Sequence, residues 1–508
     1  MKAVKLLSSL FLGAWAVFSL TACSPDLNVT NQNAPDTERA LASPSDVESL
    51  IAGSFLDWWA ATQYSAPSMG LSTAADELTS SWGNWHMQNA STEPRIPFDN
   101  SPSYRYRAFV QNSWYNCYSA ISSANDGLKQ IANGLIIEDE LRTHRAKTFA
   151  KFVQGLAHGW LALFHDKAFI VDETVDLTTD QVDFKPYNEV MQAALGFLQE
   201  ALTLAQEKDF TLPENWINGN PLTSAEFQKL IHTYMARFMA QVARTPEERA
   251  AVDWNAVLAH AEQAIDQDFV VQGDGNIWWS RLQLQGQHPI WVRADYMNSL
   301  GPADTSGNYQ AWLNTPVQDR LPFLIHTADQ RFPVGNPEGQ GTYIMYAGQP
   351  RHRPDRGTYH FSYYLHYRFN EHLLSGATGP IYLIVKEEPM FLKAEALIRL
   401  GRNDEAAAII NQTRVNNGGL PPVSGDDPDL MKKLIYEKRL ECWTTSGGLA
   451  FFDARGWGIL VTGTPLHWPV PGKELEILQQ EIYTFGGVGG PASAPKRSRE
   501  DVFAVYPE

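Results

Sequence analysis

The stretch that decides the fold is Pro389–Pro422, PMFLKAEALIRLGRNDEAAAIINQTRVNNGGLPP. It reads as two helices joined by a tight turn. Pro389 suits the first helical position, where its missing N–H has no intrahelical partner in any case. Met390, Phe391, Ala394, Leu397 and Ile398 recur at the spacing of one buried helical face. Gly401 can take the left-handed conformation that ends a helix, and Asn403 or Asp404 can cap the next one. The second helix buries Ala406, Ile409, Ile410 and Thr413, then stops at Gly418-Gly419 before Pro421-Pro422. Alanines on both facing stripes let the two helices approach closely. Such a pair cannot cover both of its faces alone, so it predicts neighbours of the same kind.

The rest of the chain supplies them. Ser43-Pro44 opens a helix, with Ser43 as cap, that runs into Trp58-Trp59. Residues 71–78 read as a short strand or helix. A long helix is predicted from about Tyr106 to Ala132, with Phe109, Trp114, Tyr118 and Ile121 at helical spacing. Another covers about Leu141 to Phe164. A further pair covers Tyr187–Ala205, with Val190, Ala194, Leu198 and Leu202 on one face, and Ser224–Arg244. A third helix, Asp253–Ile265, follows Thr245-Pro246. The run Tyr187–Ile265 resembles tetratricopeptide hairpins in its spacing and small-residue packing, with Trp254, Ala261 and Ala264 as packing points. No strict repeat length is visible.

From about Asp266 to Lys386 the pattern changes. Gly, Pro, Asn, Gln and aromatics dominate, and helical periodicity fades. Trp278-Trp279, Trp291, Tyr296, Tyr309 and Trp312 fall here, ahead of a Tyr/His-rich run from Tyr343 to Tyr367. An excursion this long on a helical scaffold points to function. The expected fold is mostly α: tetratricopeptide-like hairpins forming a scaffold, with the loop-rich stretch 266–386 carrying the ligand surface of a single domain over 37–508.

Net charge and the N-terminus narrow the function. The 508 residues hold 40 Lys and Arg against 57 Asp and Glu, a formal charge of −17. Phosphate binding needs a basic stripe, so nucleic acid is excluded as a partner. A solvated acidic surface is the plain reading of the excess. Met1–Lys5 is basic, and Leu6–Phe18 is apolar but too short to span a bilayer. Leu20-Thr21-Ala22-Cys23 resembles a bacterial lipobox. Residues 1–22 are then a signal peptide, Cys23 the acylated first residue, and 23–36 a polar tether. An ordinary signal peptide with an incidental cysteine is the alternative. No other stretch is apolar enough for a transmembrane helix, so acyl chains are expected to supply the membrane affinity. Cys117 and Cys442 are expected as two buried free thiols rather than a disulfide.

Three pieces near the C-terminus follow in order: Leu434–Glu441, Phe451–Gly458 and His467–Leu475. Together they resemble the C-terminal half of the SusD/RagB family of surface glycan-binding lipoproteins. That family has an acidic-basic helix ending in Glu, a large aromatic, an Asp-x-Arg turn with Trp, and a Pro-x-Pro-x-x-Glu-Leu tail. Glu437, Arg439, Glu441, Phe452, Asp453, Arg455, Trp457, Pro469, Pro471, Glu474 and Leu475 occupy those places. One departure is visible. The family's Phe-Glu-Gly-x-Arg is replaced here by residues 442–450, CWTTSGGLA. Gln318–Phe323 resembles the family's Asp-Pro-Arg-Leu stretch without its first Pro. The resemblance covers nearly the whole mature chain, strongly at its ends and loosely in the middle. It implies an outer-membrane lipoprotein that captures oligosaccharide at the cell surface and passes it to a TonB-dependent β-barrel transporter, with no cofactor. The matching residues identify a scaffold, not a ligand.

The ligand surface is sought in chemistry. A sugar ring offers a face of C–H groups, which an exposed indole or phenol stacks against, and an equator of hydroxyls for Asn, Asp, Gln or Arg. Trp82, Asn84 and Trp85, in the polar loop 80–100, fit this task, as do Trp291, Tyr296 and Trp312 in the excursion. For any one of these aromatics, anchoring a loop in the core is the plainer role. Trp254 and Trp457 are assigned to packing.

Enzymatic readings find little support. Asp76-Glu77 is a candidate carboxylate pair for glycoside hydrolysis, with a solvated or helix-capping pair as the plainer role. Gly70–Ala74 lacks the last Gly of a nucleophile elbow. His352, His360, His366 and His372 lack the spacing of a helical zinc site and are expected as exposed histidines beside aromatics. No dinucleotide or phosphate-loop glycine pattern occurs. The expectation is a non-catalytic glycan-binding protein. The alternatives are a surface glycoside hydrolase, or the same fold holding a basic peptide on an acidic, aromatic site.

Overall fold

The helical spacing read above becomes a chain of neighbouring helices in the computed structural model, which describes residues 43–496. In order these are α1 (Pro44–Gln63), α2 (Ser65–Ala74), α3 (Ala108–Ala132), α4 (Glu140–Phe164), α5 (Tyr187–Glu207), α6 (Ser224–Gln241), α7 (Trp254–Ala261), α8 (Glu387–Arg399), α9 (Asn403–Arg414), α10 (Leu430–Glu441) and α11 (Leu449–Trp457). Helix α3 packs on α1 and α4, α4 on α5, α5 on α6, α6 on α7, α7 on α8, and α8 on α9 and α10. This is the expected stack of α-hairpins. From Pro44 onward the described residues form one unit. The signal peptide over 1–22, Cys23 and the 23–36 tether lie outside the described residues. No described helix is long and apolar enough to cross a membrane.

Local chemistry sets the helix ends. Asp139 caps α4 by accepting from the Arg142 N–H, and Thr223 and Glu226 form a reciprocal capping box on α6. Helix α8 starts at Glu387, two residues ahead of Pro389, which therefore sits in the first turn. It ends with Gly401 at φ 76°, while Arg402 N–H bonds to Leu397 O and Gly401 N–H to Ile398 O. These are the paired bonds that close a helix through a left-handed glycine. The expected cap on α9 is corrected. Arg402 occupies that position without a side-chain capping bond, and Asn403 and Asp404 lie inside the first turn. There Asp404 and Glu405 face the positive end of the helix dipole instead. Residues 71–78 end α2 and lead into a strand rather than forming one element. In α4, a Cβ on Gly159 would lie 2.1 Å from the Phe238 ring, so this glycine lets α6 approach.

The excursion is closed at its two ends. Strand β2 (Phe269–Gln272) pairs antiparallel with β6 (Pro380–Ile384), with Val271 opposite Ile381. Within it, β4 (Ile344–Tyr346) pairs with β5 (Tyr364–His366). One further ladder leaves it: β1 (Leu78–Thr79), just after α2, pairs with β3 (Arg293–Ala294). The excursion also has its own apolar core, in which Tyr296, Tyr309, Trp312, Phe332 and Tyr364 surround Trp443 of the scaffold.

Buried ion pairs join this core to the helices. Arg331 bonds Asp329 at 2.7 Å, Glu437 at 2.6 Å and Glu441 at 2.9 Å, all with side chains wholly out of solvent. Arg368 adds a bond to Glu441 at 2.9 Å, and Tyr343 Oη donates to the same carboxylate at 2.7 Å. Around α8, Arg249 bonds Glu395 at 2.7 Å and Asp453 at 3.2 Å, and Lys438 bonds Asp453 at 2.7 Å. Burial alone would raise the Glu395 carboxyl, but the Arg249 guanidinium outweighs it and holds it down at about 2. Trp457 donates its indole N–H to Glu395 at 3.2 Å. Glu437, Glu441, Asp453 and Trp457, which carried the resemblance, are thus the bolts of the scaffold. The departing stretch 442–450 has a job of its own. Trp443 stacks on His366 at 5.1 Å, and Thr444 N–H donates to Glu77 at 2.7 Å.

Two expectations about polar residues change. His352, His360, His366 and His372 are buried, not exposed. They bind internal partners: His352 Nδ1 pairs with His360 O, His360 Nδ1 with Thr79 Oγ1, His366 Nδ1 with Thr444 Oγ1, and His372 Nδ1 with Gly379 O. Loops that wind over their own core need such tethers for backbone carbonyls. Asp76 and Glu77 are likewise neither solvated nor capping. Each is 5 % exposed. Cys117 and Cys442 are free and buried, and burial pushes both thiols up. Among the described residues no group of His, Cys, Asp or Glu is placed to hold a metal ion.

Candidate functional site

The two-residue ladder between β1 and β3 brings together loops far apart in sequence. Leu78 lies opposite Ala294 and Thr79 opposite Arg293. The loop after β1 therefore runs beside the turn before β3. Ser80 Oγ donates to Trp291 O at 2.7 Å and accepts from the Trp82 N–H at 3.1 Å. The Trp82 indole N–H donates to Ile290 O at 3.2 Å. These bonds fix two tryptophans from distant segments against each other. Their ring centroids are 5.7 Å apart at 65°, an edge-to-face contact.

Trp85 joins them through an unusual backbone. Trp85 and His86 both have positive φ, 55° and 68°. Consecutive left-handed residues other than glycine cost on the order of 1–3 kcal/mol each and gather at functional sites. The result sets the Trp85 ring 6.2 Å from Trp291. All three tryptophans are half-buried, resting on Met69, Leu78, Met87, Leu282 and Val292. Asn84 precedes Trp85 in the same short turn and is half-buried too.

The aromatic strip continues past the residues picked from sequence. The Arg281 guanidinium lies 4.8 Å from the Trp85 ring centre and 4.4 Å from that of Trp279. Trp279 in turn stacks on Tyr64 at 4.6 Å with planes 6° apart. Tyr64 Oη donates to Ile277 O. Burial, helped by Asp274, pushes the Tyr64 phenol up to about 12, so it stays a neutral donor. From Trp82 to Tyr64 the surface is a row of half-buried rings with one guanidinium set among them. Trp279, Tyr64 and Arg281 were not singled out from sequence. The available signal was the Trp278-Trp279 pair, but adjacent residues point opposite ways. Trp278 is buried against Phe55 and Trp59, and only Trp279 of the two stays half-buried.

Two of the six candidates do not belong to this row. Tyr296 is 2 % exposed and Trp312 6 %. Tyr296 stacks on Phe323 at 4.1 Å and donates its hydroxyl to Phe323 O at 2.7 Å. Arg320 covers the Trp312 ring at 4.2 Å. Both are anchors of the excursion core, with no ring face to offer. The structure brings Trp82, Asn84, Trp85 and Trp291 together and leaves Tyr296 and Trp312 out.

The candidate acid pair is closed to substrate as well. Asp76 bonds Arg95 at 2.7 Å. Glu77 accepts from Ser72 Oγ and from Thr444 N–H at 2.7 Å. Burial raises both carboxyls, with Arg95 countering it at Asp76 and Ser72 at Glu77.

No family model matches the sequence, and no curated protein matches it either. Solved structures do match the fold. A SusD superfamily protein from Parabacteroides distasonis aligns over 85 % of this chain and 97 % of its own, with a TM-score of 0.59 at 13 % identity. A SusD homolog from Bacteroides thetaiotaomicron aligns over 89 % of this chain and 98 % of its own, with a TM-score of 0.58 at 11 % identity. A third, described as a SusD-like carbohydrate binding protein from Bacteroides vulgatus, aligns over 91 % and 94 %, with a TM-score of 0.52 at 14 % identity.

Proposed function

We propose, for a chain that has the SusD-superfamily fold, that it binds oligosaccharide on the Trp82–Trp85–Trp291 platform and breaks no bond in it. The observation that carries this is the row itself. Trp82 is held by its indole N–H bond to Ile290 O, Trp291 by the Ser80 bond to its backbone carbonyl, and Trp85 by its ring contact with Trp291, yet all three remain part-exposed, side by side, where successive sugar rings can stack. Asn84 stands beside them for hydroxyls. A hydrolase needs two carboxyls flanking the bond to be cut. The loops that form the platform, Ser80–Thr92 and Trp278–Ala294, contain no Asp or Glu. Asp76 and Glu77 lie below, paired and buried. A basic peptide is disfavoured by the same sequence fact, since the platform is not acidic.

Acylation at Cys23, residence in the outer membrane and delivery to a TonB-dependent β-barrel transporter complete the proposal. The lipobox and the scaffold motif support them. The experiment is direct. The purified protein is run through native gels containing individual polysaccharides, and the incubated glycans are assayed for new reducing ends. Retardation by at least one glycan, lost in Trp291→Ala, with no new ends, is the expected result. New reducing ends make it a hydrolase, and no retardation by any glycan removes the binding role. Labelling with radioactive palmitate, absent in Cys23→Ala, tests the anchor. Co-purification of a β-barrel from membranes tests the partner.

A further inference from the structure

The buried arginines of the scaffold fall into two kinds. Arg237 and Arg249 each meet a carboxylate, Glu388 at 2.5 Å and Glu395 at 2.7 Å. Arg244, just past the end of α6, and Arg455, in the last turn of α11, are 2 % and 1 % exposed. Among the described residues no carboxylate lies within ion-pair distance of either guanidinium. Arg244 Nη2 donates to the carbonyls of Ala162 and His165 at 2.7 and 2.8 Å. Arg455 donates from Nη1 to Leu466 O at 2.9 Å and from Nη2 to Gln241 O at 3.0 Å. That leaves Arg244 Nε and Nη1 and Arg455 Nε buried with no acceptor. The Arg244 guanidinium lies 3.7 Å from the centre of the Tyr187 ring, and that of Arg455 lies 4.9 Å from the centre of Phe452. Two charges are thus held in the interior by carbonyls and ring faces, with donors left over, a costly arrangement for an unpaired ion.

Both arginines line one cavity. Its volume is about 110 Å³, several times the roughly 10–15 Å³ that one water molecule needs. Pro246, Leu466, Ala494 and Pro495 form apolar parts of its wall, and none of its lining residues belongs to the platform loops. The surrounding groups keep the sign positive. His165 Nε2 and His467 Nδ1 are buried without a partner. Burial pulls Arg244 down to about 10, which leaves it a cation at neutral pH. Burial, with the Arg244 charge adding to it, pulls Arg455 down as well, and both arginines add to the burial that depresses His467. The nearby acids are engaged elsewhere. Glu248 accepts from Tyr187 Oη at 2.9 Å and from the Arg244 backbone N–H at 2.8 Å. Asp166 accepts from Tyr483 Oη at 2.9 Å. Glu247, which also lines the cavity, is exposed and has a partner of its own.

We propose that this cavity binds a small oxyanion, a sulfate, phosphate or carboxylate group, between Arg244 and Arg455. The inference is independent of the glycan reading. An oxyanion takes charge-assisted hydrogen bonds from guanidinium groups, which are stronger than those a carbonyl accepts. It also offsets the repulsion between two buried like charges, which a carbonyl cannot do. The site lies where separate parts of the chain converge. Ala162 and His165 stand at the end of α4, Gln241 at the end of α6, and Leu466 and Pro495 on the chain that follows α11. A bound anion therefore fastens the C-terminal stretch to the helices, and its binding free energy adds to the stability of the fold.

The test uses the purified protein dialysed free of oxyanions. Calorimetry and thermal melting follow sulfate, phosphate and acetate, each against chloride at matched ionic strength. At least one oxyanion is expected to bind at one site per chain and to raise the melting temperature, with saturation in the low millimolar range and a larger rise than in chloride. Tightest binding by sulfate or phosphate names a tetrahedral anion, and tightest binding by acetate names a carboxylate. Arg455→Gln should weaken that binding at least about 10-fold. Ala494→Asp keeps the test decisive if loss of the Arg455 hydrogen bonds upsets folding. Its carboxylate at the cavity wall should take the anion's place, abolish binding and hold the melting temperature at or above the anion-free value. No binding by any of the three oxyanions, a rise that never saturates, a rise equal to that in chloride, or undiminished binding in Ala494→Asp overturns the proposal.

Discussion

Tyr296 and Trp312 come from a stretch of sequence as rich in Gly, Asn and Pro as those around Trp82, Trp85 and Trp291, yet the two sets end in opposite settings. The first pair is sealed among Tyr309, Phe323 and Phe332 and covered by Arg320. The second set rests on a small apolar patch and keeps open ring area. Composition does not separate them. What separates them is where the strand ladders and ion pairs place each loop. The excursion must cover its own backbone, and it uses some aromatics for that. Those beside the ladder between β1 and β3, Trp82 and Trp291, stay half-buried at its edge.

The strongest way to break this contrast is to loosen the excursion from the helices. Arg331→Leu leaves Asp329, Glu437 and Glu441 buried around a missing cation, and should cost about 3–5 kcal/mol. Chemical denaturation would show it, and an unmoved midpoint would mean that this cluster does not tie the two parts together. Trp312→Ala should cost a comparable amount, about 3–5 kcal/mol by the usual cavity penalty, while the folded fraction keeps its glycan affinity. Trp291→Ala is the mirror experiment. It should lower affinity by about 2 kcal/mol, roughly 30-fold, with only a slight change in melting temperature. If the two variants exchange phenotypes, the assignment of platform and core is reversed.

Acid sharpens the contrast further. Burial pulls His352 down to about 4 and His360, with His352 and Arg95 adding to it, to about 3. It also pulls His86, beneath the platform, to about 3. An unfolded chain protonates these rings near pH 6.5, whereas the folded one resists. Their contribution is complete above that pH and is lost as pH falls from about 6.5 toward these values. Each such ring removes up to about 1.4 kcal/mol per pH unit across that window. The melting temperature followed from pH 7 to 4 checks this, and His360→Gln should flatten the slope. The smallest effect is expected at Asn84→Ala, about 1 kcal/mol of affinity or less for a single hydroxyl contact, read by calorimetry.

Much of the scaffold was legible in the sequence because helices announce themselves locally. Gly401 ends α8 where its freedom of φ predicted, and the faces of α8 and α9 bury Phe391, Ala394, Leu397, Ala406 and Ile410 as their spacing implied. The cap of α9 was misplaced because Arg402 carries no sign of that role. Inside the excursion, residues lack a period that tells inside from outside. The four histidines read as surface groups, yet each is enclosed and tied to a carbonyl or hydroxyl by contacts formed only in three dimensions. Trp82, Trp85 and Trp291 stand out in the sequence because indoles in polar loops are rare. Trp279 and Tyr64 were missed because their outward orientation depends on Trp278 and α1 taking the inner places. The pairing of Glu437 and Glu441 with Arg331 was likewise beyond local reading, since the cation comes from the excursion.

The Ser80–Trp291 bond joins residues 211 positions apart. No growing chain that stops short of Trp291 can display a finished grip, because the second half of the row has not yet been made. Nor can a chain whose middle has strayed, since Trp82 would then have no Ile290 carbonyl to hold its indole. The finished row of rings is therefore a mark of the completed fold.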